Sequence, residues 1–198
     1  MEKKAVKRVF LTFDDGPSKI YTPDILDILK KARIKASFFV CGKNLECYPE
    51  IGKRIAKEGH LIGNHTYSHS KLLAITGLWA EEIKKTSEVI RELTGVEPVF
   101  FRPPWGKTTP WLEKKLKGYG LKMVMWDIDA EDWKQPKARI IARDILSKIF
   151  SGAVILLHDG HETYLKFSRR ETVLSLPLII RHLQKNGYQF ETVDKLAV

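Results

Sequence analysis

Apolar residues along this chain gather in two kinds of pattern that alternate from end to end. Short, largely apolar runs read as strands buried on both faces. They are Val9-Phe10-Leu11, Ala36-Ser37-Phe38-Phe39-Val40, His60-Leu61-Ile62-Gly63, Val99-Phe100-Phe101, Leu121 to Trp126, and Ala153-Val154-Ile155-Leu156-Leu157. Between them, apolar positions three and four apart mark helices. Ile25, Ile28, Leu29 and Ala32 form one such face to about Arg33, and Trp79, Ile83, Thr86, Ile90 and Leu93 form another. Pro49 to Glu58, Pro110 to Lys117, Ala138 to Phe150 and Arg170 to Lys185 complete the set. Thr22-Pro23 reads as an N-cap with proline at the first helical position, while Gly59, Gly95 and Asn186-Gly187 read as stops. A last short strand covers Tyr188-Gln189-Phe190.

Strand and helix in alternation predict a parallel sheet with helices packed over it. Six or seven such units favour a barrel over an open doubly wound sheet. At 198 residues the chain falls short of the roughly 250 of a full eight-unit barrel. The expected architecture is α/β: a distorted, reduced (β/α) barrel of about seven parallel strands. No internal repeat, low-complexity tract or Pro/Gly/Ser linker interrupts the pattern, so residues 1–198 read as one domain.

The polar residues fall in an unusual place. Asp14-Asp15, His65 with His69, Arg102, Asp127 to Trp133, and His158-Asp159 each follow a predicted strand. In parallel α/β folds the C-terminal strand ends gather on one face, so these five loops are expected to meet in one pocket. Adjacent acids at 14 and 15 repel each other and resist burial, which calls for a bound cation or a base beside them. His65-x3-His69 has the spacing of a metal pair, although two capping or solvated histidines are its ordinary meaning. The pair lacks the glutamate of an HExxH motif, so a base has to come from elsewhere. With Asp15 it makes two imidazoles and one carboxylate, a set that leaves a coordination position open for water.

Composition narrows the partners. A hydrophobic fraction of 43% with 29% charged residues is that of a soluble globular protein. No apolar run approaches the roughly 20 residues of a membrane span. The basic start, Met1 to Arg8, leads into a short apolar run that ends at Asp14-Asp15, which is a strand and not a signal peptide. The chain as given reads as cytoplasmic, or as exported once a leader has been removed. A formal net charge of +10 favours anionic polymers. The basic residues are scattered among acids, and no nucleic-acid motif accompanies them, so a nucleic-acid partner is not expected. Cys41 and Cys47 are spaced too widely for a redox CxxC; they read as two small apolar residues, with a single bridge between them as the alternative.

Five motifs, TFDDGP at 12–17, HTYSH at 65–69, RPPW at 102–105, DAEDW at 129–133 and LLH at 156–158, resemble in order those of the polysaccharide deacetylases. This is carbohydrate esterase family four, the NodB-homology domain. The resemblance implies a distorted (β/α) barrel. It also implies a metal-dependent hydrolase that removes N-acetyl groups from N-acetylglucosamine-containing polysaccharide or oligosaccharide, of peptidoglycan or chitooligosaccharide type, releasing acetate. One divalent ion is implied, zinc before cobalt, nickel or manganese, with Asp15, His65 and His69 as its ligands. By the same resemblance Asp14 is the general base, Arg102 its ion-pair partner and His158 the general acid. Asp132 is implied as the partner of His158, with Asp127, Asp129 and Asp159 left as rivals. The backbone N–H of Trp105 would join the ion in stabilising the oxyanion. Trp133 would stack on a sugar ring, and Leu156 would line the pocket for the acetyl methyl.

The chain departs from the family pattern in places. Trp105 stands where a tyrosine is common, and Thr108 replaces a common proline. His161 reads as a rim residue, and Trp79, Trp111 and Trp126 as packing. Two other readings compete with the enzyme: a non-catalytic glycan-binding protein that keeps the groove, and a metal-dependent amidase acting on a non-sugar amide.

Overall fold

A computed structural model describes residues 6–76, 79–160 and 168–196; His161 lies outside the described residues. The strands are β1 (Lys7–Asp14), β2 (Ser37–Val40), β3 (Leu61–Asn64), β4 (Phe100–Phe101), β5 (Lys122–Met123), β6 (Ile128–Asp129), β7 (Ala153–His158) and β8 (Tyr188–Glu191). Seven of them follow one path, β5-β4-β3-β2-β1-β7-β6, and β8 pairs with β1. Every pairing is parallel. Val9 and Phe10 pair with both β7 and β8, so β8 lies on the same side of β1 as β2 does and covers the half that β2 leaves. The sheet curls into a half-barrel whose two ends, β5 and β6, do not join. A cavity of about 670 Å³ opens there, lined by Phe100, Val124, Trp126, Val154 and Leu196.

The expected reduced barrel is the observed one, with local differences. The predicted strand Leu121 to Trp126 shortens to Lys122–Met123, and the predicted loop Asp127 to Trp133 contains β6. Ile128 is drawn into the sheet by pairing with Ile155 on β7. A strand of two residues, one of them an acid, has no period to read, so tertiary pairing alone creates it.

The helices are α1 (Tyr21–Ala32), α2 (Gly42–Cys47), α3 (Pro49–Lys57), α4 (Lys71–Thr76), α5 (Ala80–Thr94), α6 (Leu112–Gly118), α7 (Ala138–Lys148) and α8 (Arg170–Lys185). The short α2 and α4 are too brief to show a helical period. Thr22 does not cap α1. The N–H of Tyr21 donates to Ser18 Oγ at 2.9 Å, while the Thr22 hydroxyl donates to buried Asp159 at 2.6 Å.

Side chains alternate across each strand. Val9, Leu11, Phe13, Phe38, Val40, Ile155 and Leu157 pack outward against apolar faces of the helices, including Ile25, Leu29, Ile145, Leu176 and Ile179. Phe10, Phe39, Phe100, Val124 and Val154 fill the inside of the half-barrel. By that alternation Thr12 and Asp14 share the inner face with Phe10, and Leu156 and His158 share it with Val154. Asp14 and His158 are in register on neighbouring strands. A carboxylate on one strand and an imidazole on the next thus follow from pleat and register alone. Cys41 is buried and Cys47 exposed, and no disulfide joins them. No helix among the described residues is long and apolar enough to cross a membrane.

Candidate active site

The strand ends supply the polar groups, and their loops take unusual backbone shapes to do so. Asp15 (φ 74°), His69 (φ 50°) and Trp105 (φ 53°) are among the non-glycine residues that adopt the left-handed region. Such conformations cost of order 1–3 kcal/mol each and persist only where the surroundings impose them. Asn64 Oδ1 accepts from the Thr66 N–H at 2.9 Å, and Glu82 accepts from the N–H groups of Tyr67 and Ser68 at 3.0 and 2.6 Å. These bonds hold the HTYSH loop so that both histidines turn inward.

Asp15, His65 and His69 come together as expected, with one potential ligand atom from each lying within 4.8 Å of the others. Asp15 Oδ1 is 3.4 Å from His65 Nε2 and 3.3 Å from His69 Nε2. All three are buried. His65 Nδ1 lies 2.7 Å from the Arg102 carbonyl. A carbonyl only accepts, so Nδ1 carries a hydrogen and Nε2 is directed toward Asp15; such outer bonds fix metal-binding imidazoles. Burial works against the charge of Asp15, yet His69 and His65 outweigh it and hold the carboxyl well below the usual range. Two imidazoles and one ionised carboxylate fit a divalent ion with a position to spare.

Arg102 is wholly buried and splits its guanidinium among four oxygens. Nη1 donates to Asp14 Oδ1 at 2.8 Å and to Thr12 Oγ1 at 2.7 Å; Nε and Nη2 donate to the Val124 and Met125 carbonyls, each at 3.1 Å. The Phe39 ring lies 4.1 Å beneath it. This leaves Asp14 Oδ2 turned toward the histidines, 3.8 Å from His65 Nε2. The carboxylate at 14 is therefore fixed on one side and available on the other.

Opposite it, His158 Nδ1 is 2.6 Å from Asp132 Oδ1, and the His158 N–H donates to Asp132 Oδ2 at 3.0 Å. The rivals are engaged elsewhere. Asp127 accepts from the Val154 N–H, Asp129 from the Glu131 N–H, and Asp159 from Thr22. Burial disfavours the charged His158 ring, but the Asp132 carboxylate outweighs it and raises the imidazole to about 9. The pair's contribution to stability is complete below the ordinary imidazole pKa and is lost as pH rises through about 9.

The rim holds the apolar residues. Trp105 is exposed, with its ring 4.2 Å from that of His69, and Trp133 is exposed beyond Asp132. Leu156 is buried on the inner face. Trp79 is buried in a cluster with Ile83 and Phe101, Trp126 is half-buried, and Trp111 is exposed.

Sequence reasoning missed several supporting groups. Asn44 donates to the Asp15 carbonyl at 2.7 Å, Thr12 joins Arg102, and Thr172 donates to Asp132 at 2.7 Å. Arg169, also buried, binds the Gly160 carbonyl at 2.8 Å and reaches within 3.9 Å of Asp15. Thr12 lay inside the first motif; the others sit on helices or loops that carry no local signal. Gly160 is required by close approach, because a Cβ there would lie 2.2 Å from the Asp15 carbonyl oxygen.

Residues 2–124 match the family described as polysaccharide deacetylase. The chain is 42% identical over 192 residues to the peptidoglycan-N-acetylglucosamine deacetylase of Bacillus cereus, covering 95% of this chain and 67% of that protein. It is 37% identical over 194 residues to the peptidoglycan-N-acetylglucosamine deacetylase PgdA of Listeria monocytogenes, covering 98% of this chain but 39% of that one. It thus spans about two-thirds of one relative and well under half of the other. A crystal structure of a peptidoglycan N-acetylglucosamine deacetylase with 4-naphthalen-1-yl-N-oxidanyl-benzamide superposes with a TM-score of 0.89 at 40% identity, covering 96% of this chain and 87% of that one. Motifs, half-barrel and relatives agree: the chain belongs to the polysaccharide deacetylase family.

Proposed function

We propose that this chain is one catalytic domain that hydrolyses the acetamide of N-acetylglucosamine units in a glycan of peptidoglycan type, releasing acetate. The observation that carries the reading is the position of Asp14. It is bonded to Arg102 on one side and stands 3.8 Å from a histidine of the Asp15-His65-His69 set on the other. The fold alone would not decide it, since folds host many functions.

A divalent ion at Asp15, His65 and His69, zinc by preference, would polarise the acetamide carbonyl and acidify the attacking water. Asp14 accepts the proton of that water as its oxygen bonds to the carbonyl carbon. Arg102 keeps the carboxylate aimed during the transfer. The backbone N–H of Trp105, whose φ is 53°, would donate to the oxygen on which negative charge develops. His158 then gives a proton to the sugar nitrogen as the carbon–nitrogen bond breaks, and acetate and the free amine leave. Asp132 on Nδ1 directs the other imidazole nitrogen, Nε2, to the pocket and stabilises the charged ring. Trp105 and Trp133 flank this point with exposed indole faces suited to sugar rings, and Leu156 contributes apolar surface for the methyl.

A base and an acid with these roles set a pH dependence. Turnover is expected to fall as pH rises toward 9, as His158 loses its proton. A nearby cation moves that limb lower. A rate profile holding constant well beyond 9 would contradict His158 as the acid.

The substrate reading is tested by measuring acetate release from peptidoglycan, chitooligomers and acetylated non-sugar amides. Release from the N-acetylglucosamine polymers, peptidoglycan foremost, is expected. Release from non-sugar amides alone would overturn the glycan assignment. Glycan binding with no acetate released would instead favour a binding protein.

A further inference from the structure

Asp132 reaches His158 from an unpromising place. It opens a short 3₁₀ turn, Asp132–Lys134, bounded by Glu131 and Gln135, both with positive φ. His158 sits at the end of a central strand. The distance between the two carboxylate–imidazole partners therefore depends on what ties this loop to the sheet.

The first turn of α8 and the two residues before it supply those ties. Thr172 Oγ1 donates to Asp132 Oδ2 at 2.7 Å, Glu171 accepts from the Ala138 N–H at 2.7 Å, and the Ser168 N–H donates to Gln135 at 3.1 Å. On the other side Arg169 donates to the Gly160 carbonyl, two residues after His158, at 2.8 Å. The segment from Ser168 to Thr172 thus bonds to both the strand end and the loop. Thr172 and Asp132 are each 1% exposed, so water does not replace the bond. With the Thr172 hydroxyl and the His158 N–H both on Oδ2, the Oδ1 oxygen is left to the imidazole alone.

We propose that Thr172 is a positioning residue for the general acid, fixing through Asp132 the orientation in which His158 reaches the leaving nitrogen. This rests on the reading of His158 as the acid. A neutral threonine can do this because a hydrogen bond to a buried charged group is among the stronger ones. The hydroxyl is spent on buried Asp132 and not on Asp15, His65 or His69, so its effect belongs to the turnover step and not to metal binding.

The test replaces Thr172 by Val, which keeps the shape and removes the donor, and by Ser, which restores it. Acetate release, zinc content and melting temperature are measured on each, with Arg170→Ala as an exposed control on the same turn. Thr172→Val is expected to lose about 10- to 100-fold in kcat with KM and zinc content little changed. Thr172→Ser should recover most of that loss, and Arg170→Ala should show none. A kcat for Thr172→Val within twofold of the parent would overturn the proposal. So would a Ser variant as slow as the Val variant at equal melting temperature. His158→Gln in the same assay separates the two claims. If it is inactive while Thr172→Val is normal, only the positioning role fails; if it is fully active, the assignment of the acid fails.

Discussion

Replacing Asp14 by Asn should lower acetate release by about 10²- to 10⁴-fold, the usual contribution of a general base. Asn has the same shape and can still accept from Arg102 through its carbonyl oxygen, so the site keeps its geometry. It cannot take a proton from water. Asp15, His65 and His69 are untouched, so zinc content should remain that of the parent. The variant should also melt lower, because Arg102 is then a buried cation without a counter-charge, and unpaired buried charges are costly. Activity must therefore be referred to folded protein. Retention of even half the parent rate would remove Asp14 from its role.

The second large effect lies at Arg102. Substitution by Met removes five buried donors and leaves Asp14, Thr12 and the carbonyls of Val124 and Met125 without theirs. Breaking a buried pair from one side costs about 3–5 kcal/mol, a large share of the stability of a domain. Denaturant unfolding reads that loss, and turnover should fall with it, because Asp14 is no longer held toward His65. Lysine restores the charge but not the fork, and a point charge cannot reach all four oxygens. Arg102→Lys is accordingly expected to regain part of the stability and little of the activity. A Met variant as stable as the parent would contradict the burial and pairing described.

Much of this site was legible in the sequence for a physical reason. In a parallel sheet the strand ends gather, so Asp14, His65, Arg102 and His158 needed only their strands to be recognised to be brought together. Alternation then settled which side chains turn inward. What was not legible depended on contacts between distant elements. Asp132 could not be separated from Asp127, Asp129 and Asp159 by spacing. Each of the four lies near a strand end, and only the fold shows three of them engaged with Val154, Glu131 and Thr22. Thr22 itself looked like a helix cap because its hydroxyl's actual partner, Asp159, is 137 residues away. Arg169 and Thr172 lie in the run Ser168-Arg169-Arg170-Glu171-Thr172, which reads as a solvated helix start, whereas two of those residues are buried against the site. The open edge between β5 and β6 is likewise invisible locally, since closure depends on strand lengths that tertiary pairing sets.

The most direct measurement is acetate release from N-acetylglucosamine oligomers before chelation, after removal of divalent ions, and after zinc or cobalt is returned. The three-ligand site predicts that activity disappears on chelation and returns with the metal, and that Asp15→Ala neither binds the ion nor recovers. Undiminished release from thoroughly metal-free protein would contradict the account.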